Sequence, residues 1–173
     1  FWEEFKKHQE LSRKATKGIF KSGLADNSEE VTKLHTITHL LLQALRNHID
    51  KNIEQRGSNI TSERIRFDFN LDRKLNDDEI KTIQNEVNKK IKENLEVKRE
   101  EMSVEEANKK GASGIFEEKY GEVVSVYSIG NYSKEICAGP HVENTKEIKG
   151  KFKIIKEESS GAGVRRIKAI LEK

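Results

Sequence analysis

The sequence predicts an α+β fold in two layers, a largely antiparallel sheet with packed helices. Three observations carry this: two segments repeat apolar residues every three or four positions, one segment alternates polar with apolar, and several later segments have hairpin length. At 173 residues the chain is long enough for one compact domain, with or without a short appendage. It is too short for a multidomain enzyme with a separate nucleotide-activating half. No internal repeat or low-complexity stretch interrupts it.

Residues 1–33 differ from the rest. Phe1, Trp2 and Phe5 form a short amphipathic patch that leads into a polar stretch ending in Gly23-Leu24-Ala25-Asp26-Asn27-Ser28. This reads as a connecting arm whose aromatics dock on the main body, residues 34–173. From about Leu34 to Asp50, Leu34, Ile37, Leu41, Leu45 and His48 or Ile49 follow a helical period, widened by Leu40 and Leu42. Gly57 and Ser58 break that helix. In Arg64-Ile65-Arg66-Phe67-Asp68-Phe69 the apolar side chains all point one way, as in a strand. Asn76 is a good N-cap before Asp77, Asp78 and Glu79, and Ile80, Ile83, Val87 and Ile91 continue as a second amphipathic helix. Further on come a strand near Leu95–Glu101, a short helix near Val104–Lys109, and strands near Val123–Ser128, Phe152–Glu157 and Val164–Leu171.

Composition limits the function classes. Apolar residues are 34% and charged residues 36%, and no apolar run approaches the roughly 18 residues of a membrane span. The opening residues lack a secretion signal, and the single Cys excludes an intramolecular disulfide. A reducing, cytoplasmic setting is therefore expected. The absent initiator Met suggests a piece of something longer. With 33 Lys and Arg against 30 Asp and Glu, net charge does not argue for nucleic-acid binding, so any basic surface must come from local segregation.

The most informative residues are His35 and His39, four apart on the first helix and so on one face. Cys137 and His141 repeat the spacing in Cys137-Ala138-Gly139-Pro140-His141, where Gly and Pro make a turn that can aim both side chains at one point. Each residue alone reads as structural, a buried helix His or an inert core thiol. Together they make one sulfur and three nitrogens, a set that suits Zn²⁺ better than Mg²⁺ or Ca²⁺. Spacing does not decide between a closed structural site and an open catalytic one. His8 and His48 lack partners at ligand spacing and read as structural or solvated.

Five ordered motifs then coincide with a known family. His35-Thr36-Ile37-Thr38-His39-Leu40-Leu41, Arg66-Phe67-Asp68-Phe69, Gly111-Ala112 with Glu118-Lys119-Tyr120-Gly121, Cys137-Ala138-Gly139-Pro140-His141-Val142 and Gly163-Val164-Arg165-Arg166-Ile167 stand in one order. The stretch from about Gly23 to Leu171 thus resembles the editing domain of alanyl-tRNA synthetase. It is also similar to free-standing alanyl-tRNA editing proteins and, more distantly, to the editing domain of threonyl-tRNA synthetase. The resemblance implies a zinc-dependent hydrolase that removes serine or glycine wrongly attached to tRNA(Ala), with His35, His39, Cys137 and His141 at the metal-ligand positions. It also implies the tRNA acceptor end and the remainder of the synthetase as partners. The family's turn is commonly Cys-Gly-Gly-Thr-His; here Ala138 and Pro140 replace the first Gly and the Thr, so no role of that Thr hydroxyl carries over.

Such a reaction needs an activated water, oxyanion stabilisation and a grip on the terminal adenosine. Zinc can meet the need by polarising water or by holding the substrate's α-amino group, and sequence does not choose. Alanine is smaller than serine, so no size sieve refuses it. The pocket must instead recognise serine's hydroxyl. Gln55 matches a glutamine that lines the family's pocket and is the leading candidate, ahead of Ser58 and Thr61; its plain reading is a solvated residue at a helix end. Arg66 and Asp68 read either as a surface ion pair or as site residues, Asp68 orienting a partner and Arg66 near ribose or phosphate. After the glycine turn Ser159-Ser160-Gly161-Ala162-Gly163, Arg165 and Arg166 read as a basic edge for acceptor-end phosphates, and Lys119 as a similar contact. A solvated charge run is the competing view, which also covers Lys149, Lys151 and Lys153. Two other functions remain open: a non-catalytic tRNA-binding module with a structural zinc, and a deacylase acting free-standing or on threonyl-system tRNA.

Overall fold

The computed structural model describes residues 3, 4, 6, 23–114 and 121–173. Phe1, Trp2 and Phe5, which the sequence suggests dock on the main body, lie outside these, as do His8 and Lys119. Helix α1 (Glu29–His48) is followed by strands β1 (Gln55–Ile60) and β2 (Ile65–Asn70), helix α2 (Asp77–Lys92) and strand β3 (Val97–Ser103). A short helix α3 (Val104–Lys109) precedes β4 (Val123–Ile129), β5 (Ser133–Ile136), β6 (Lys151–Gly161) and β7 (Val164–Glu172). The strands form two antiparallel sheets, a larger one ordered β1-β2-β7-β6 and a smaller one ordered β3-β4-β5. The α+β class and the antiparallel pairing are as the sequence predicts; the division of the strands between two sheets is additional.

Helix α1 begins at Glu29 rather than Leu34, because the Ser28 side chain accepts from the Val31 N–H and Glu29 and Glu30 meet the positive end of the helix. Every residue from Leu34 to Leu42 is buried, so the helix is enclosed on all sides rather than along one stripe. It packs against α2, the edge of the larger sheet and β5. This burial carries His35 and His39 into the interior. Helix α2 starts as expected, with reciprocal capping between Asn76 and Glu79, and buries Ile83, Val87 and Ile91. Phe67, Phe69 and Ile65 of β2 join Ile167 and Ala169 of β7 in the main core, all with no exposed surface.

Two strands depart from the sequence expectation. Gly57 and Ser58 do not end the structure but sit within β1, where a register shift between Gln55 and Gly57 absorbs the irregularity. Gly23 has φ +71° and a side chain there would collide with the Ser58 carbonyl, so only glycine lets the incoming chain lie this close to β1. Leu24 then bridges to Ile60 and is fully buried. The second is β5, whose four residues pair with β4 on one side and, through a single bridge at Glu135, with Ser113 on the other. Its shortness leaves almost no alternation to read. Ser159–Gly161 belong to β6, so the turn into β7 is much tighter than a flexible glycine stretch.

Candidate metal centre

Two distant segments meet at one point. His35 and His39 descend from α1, while Cys137 and His141 come from the turn that follows β5. One ligand atom from each of the four lies within 4.8 Å of every other. Cys137 Sγ stands 3.4 Å from His35 Nε2 and 3.4 Å from His141 Nε2. A tetrahedral zinc, with Zn–N of about 2.1 Å and Zn–S of about 2.3 Å, has N···S edges of about 3.6 Å. The donor set and its spacing fit that ion, and the four side chains can hold a metal.

The surrounding hydrogen bonds fix which nitrogens face inward. His35 Nδ1 donates to the Pro140 carbonyl at 2.9 Å, leaving Nε2 as the lone-pair atom. The Thr36 hydroxyl donates to the Thr32 carbonyl at 3.1 Å, so its oxygen must accept from His141 Nδ1 at 3.0 Å. That oxygen also accepts from the Val142 N–H at 3.2 Å. Both rings therefore turn an unprotonated Nε2 toward Cys137, as metal-bound histidines do when their other nitrogen is held by a carbonyl or similar group. The Gly139 N–H points at Cys137 Sγ from 3.3 Å, which favours the thiolate. His39 Nδ1 is buried with no hydrogen-bond partner. Glycine at 139, with φ +73°, also lets the turn pass beneath the Tyr127 ring.

Burial pushes His35 down to about 4 and holds His39 and His141 well below the ordinary histidine value, with their mutual repulsion adding to the effect on the latter two. Neutral imidazoles are the form a metal needs. The sign for stability follows. An unfolded histidine protonates near 6.5 whereas the folded one resists, so the stabilisation is present above pH 6.5 and is lost as pH falls toward about 4. For His35 alone the shift corresponds to roughly 3 kcal/mol. The metal-free domain is expected to show a urea midpoint that drops steadily as pH falls from about 6.5 toward about 4. A flat midpoint across that window would contradict it.

Beside the ligands is a small pocket lined by His35, His39, Leu42, Gln55, Gly114, Glu135, Ile136 and Cys137. Gln55 thus reaches the site, and its Nε2 donates to Ser58 Oγ at 3.1 Å. Glu135 is a pocket residue that the sequence motifs do not indicate. It is 5% exposed and pairs at 2.7 Å with Arg46, whose Nε donates to the Ile53 carbonyl at 2.8 Å. Burial raises the Glu135 carboxyl while Arg46 opposes that rise. The one sequence signal for it is its place two residues before Cys137, on the same face of an extended chain.

The remaining predicted residues lie elsewhere. Arg66, Asp68, Arg165 and Arg166 do not line this pocket. Arg66 and Asp68 share the outer face of β2 but do not pair with each other. Asp68 is nearly buried and accepts two hydrogen bonds from Arg166, at 2.7 and 2.9 Å, because the β2–β7 register sets the two residues opposite. Arg165 is paired with the fully buried carboxylate of Glu157. Both arginines are thus neutralised within the fold, and neither belongs to a freely solvated charge run. His48 pairs with Glu86 at 2.9 Å.

Comparison with known proteins points to one group of relatives. Residues 124–168, which include Cys137 and His141, match the family described as threonyl and alanyl tRNA synthetase second additional domain. An alanine–tRNA ligase of Borrelia hermsii is 55% identical over 171 residues, 99% of this chain. Over residues 124–168 the chain carries the signature of this second additional domain family. The corresponding ligase of Treponema denticola is 53% identical over 99% of the chain, and that of Bacillus anthracis 47% over 85%. The domain spans 29%, 28% and 17% of these relatives, so each is a much longer protein. Among the described residues no helix is long and apolar enough to cross a membrane.

Proposed function

We propose that this domain hydrolyses the ester linking wrongly attached serine, or glycine, to the terminal adenosine of tRNA(Ala), as the zinc-dependent editing part of a cytoplasmic alanyl-tRNA synthetase. The observation that carries the reading is the convergence of three imidazole nitrogens and a cysteine sulfur at the wall of a pocket that also contains Gln55. Bound there by His35, His39, Cys137 and His141, zinc supplies a Lewis acid for the ester or its attacking water. The chain itself supplies orientation. Pro140 and Thr36 lock two imidazoles, the Gly139 N–H steadies the sulfur, and the enclosed α1 excludes bulk water from one side.

Gln55 provides a polar contact where serine and alanine differ. Its amide can meet the serine hydroxyl, and alanine leaves that hydrogen-bonding group unmatched. The test is decay of seryl-tRNA(Ala) and alanyl-tRNA(Ala) with the purified, metal-loaded domain. Serine should be cleared well above its spontaneous rate and alanine should not. Gln55→His should cut the serine-over-alanine rate ratio about tenfold, and an unchanged ratio removes Gln55 from recognition. Four protein donors also match a closed structural site, which supports a second reading, a tRNA-binding module without turnover. Spontaneous decay of both esters with zinc bound would decide for it.

A further inference from the structure

The four-residue cluster has two sides. The pocket that contains Gln55 is walled by His35, His39 and Cys137 but not by His141. Against His141 stands Tyr127 of β4, with ring centroids 4.5 Å apart and ring planes at 64°. Tyr127 does not line the pocket either. It is half-buried and lies in register between Arg99 of β3 and Glu135 of β5. Residues directly opposite share a face, and Glu135 pairs with Arg46 across this one, so Tyr127 is on the face of the smaller sheet that meets α1.

Among the described residues three rings stand against the His141 imidazole: His35 stacks on it at 4.1 Å, and His39 and Tyr127 meet it edge-on at 4.3 and 4.5 Å. His35 and His39 are candidate ligands themselves. Tyr127 is thus the ring that can hold His141 without taking part in coordination. The hydrogen bond of 3.0 Å between His141 Nδ1 and the Thr36 hydroxyl tethers one end of the imidazole but leaves it free to turn about that bond. Packing against the Tyr127 ring restrains the turn. The same residue sets the segment that carries Cys137. A side chain at Gly139, where φ is +73°, would collide with the Tyr127 hydroxyl, so the turn lies directly on that side chain, and its Gly139 N–H reaches Cys137 Sγ at 3.3 Å. The hydroxyl is steadied in turn by Arg99, whose guanidinium is within hydrogen-bonding reach of it and donates to Glu101 and Ser125 at 2.7 and 2.8 Å.

We propose that Tyr127 is a positioning residue for the metal centre, holding the His141 imidazole and the Gly139 turn so that His141 Nε2 and Cys137 Sγ face one point before an ion arrives. The proposal rests on the metal-binding reading of the cluster and is independent of the deacylase. Donors ordered in advance lose less freedom on binding, so removal of what orders them shows as weaker affinity.

The test is zinc affinity, measured by competition with a chromophoric chelator, together with the visible absorption of the Co²⁺-loaded domain, which reports coordination geometry. Tyr127→Ala should weaken zinc binding about 10-fold to 100-fold and alter the Co²⁺ spectrum. Tyr127→Phe keeps the ring and should stay within about threefold of wild type. Val126→Ala, on the opposite face of β4 in the second apolar cluster, controls for lost packing: it should lower the urea midpoint of the metal-free domain and leave zinc affinity and the Co²⁺ spectrum unchanged. Zinc held by Tyr127→Ala within about threefold of wild type overturns the proposal, as does an equal loss in Val126→Ala or in Tyr127→Phe. The two readings separate in the same experiment. A wild-type domain that binds no zinc overturns the reading of the cluster and the proposal with it, whereas zinc bound equally by wild type and Tyr127→Ala keeps the cluster and removes Tyr127 alone.

Discussion

His39→Ala is expected to remove bound metal and ester hydrolysis together. The side chain is 6% exposed and its ring lies 5.3 Å from that of His35 and 4.3 Å from that of His141, within the cluster. Its removal leaves three donors and a void that water enters poorly, since α1 is enclosed along this stretch. Outer partners of metal ligands alone are worth about 10-fold to 100-fold in affinity or activity, so loss of a direct ligand should exceed a hundredfold. Metal content by elemental analysis and decay of seryl-tRNA(Ala) are the paired measurements. Chelator treatment of the unaltered domain should reproduce the activity loss without changing the chain, which separates missing metal from misfolding. Full activity in a metal-free His39→Ala protein contradicts the assignment.

The parts of this site that are legible in the sequence are those carried by strong local periodicity. His35 and His39 can be placed on one helix face because the apolar spacing around them is regular. Cys137 and His141 can be placed in a turn because Gly139 and Pro140 admit little else. Convergence of the two pairs is a tertiary fact, and it rests on their chemistry as a set and on the family resemblance. What escapes the sequence is explained in the same terms. Strand β1 contains Gly57 and Ser58, poor strand formers that are held by pairing with β2 and by the close approach of Gly23. The partners of Arg165 and Arg166 depend on register across β6, β7 and β2, which no single segment encodes. Charges that look like a basic edge along the chain become ion pairs once the strands are aligned.

Glu135→Ala is expected to destabilise the domain by about 3 to 5 kcal/mol, measured by urea denaturation with metal absent. The size follows from what remains rather than from what is removed. Arg46 has 12% of its side chain exposed, is anchored by its Nε to the Ile53 carbonyl, and cannot shed its proton. Without the carboxylate its charge stays buried and uncompensated, and that same charge already disfavours protonation of His39. A dication bound next to it should therefore be held less tightly. Glu135→Ala is expected to weaken metal affinity as well as stability. Glu135→Gln retains an acceptor for Arg46 and should lose less of both. Replacing the pair together, with Arg46→Met and Glu135→Leu, removes both charges at once and should recover most of the stability lost by Glu135→Ala alone. That recovery distinguishes a stranded cation from simple loss of packing. If the double variant is as unstable as the sum of its parts, the two side chains do not act as a pair, and the electrostatic account of this wall of the pocket fails.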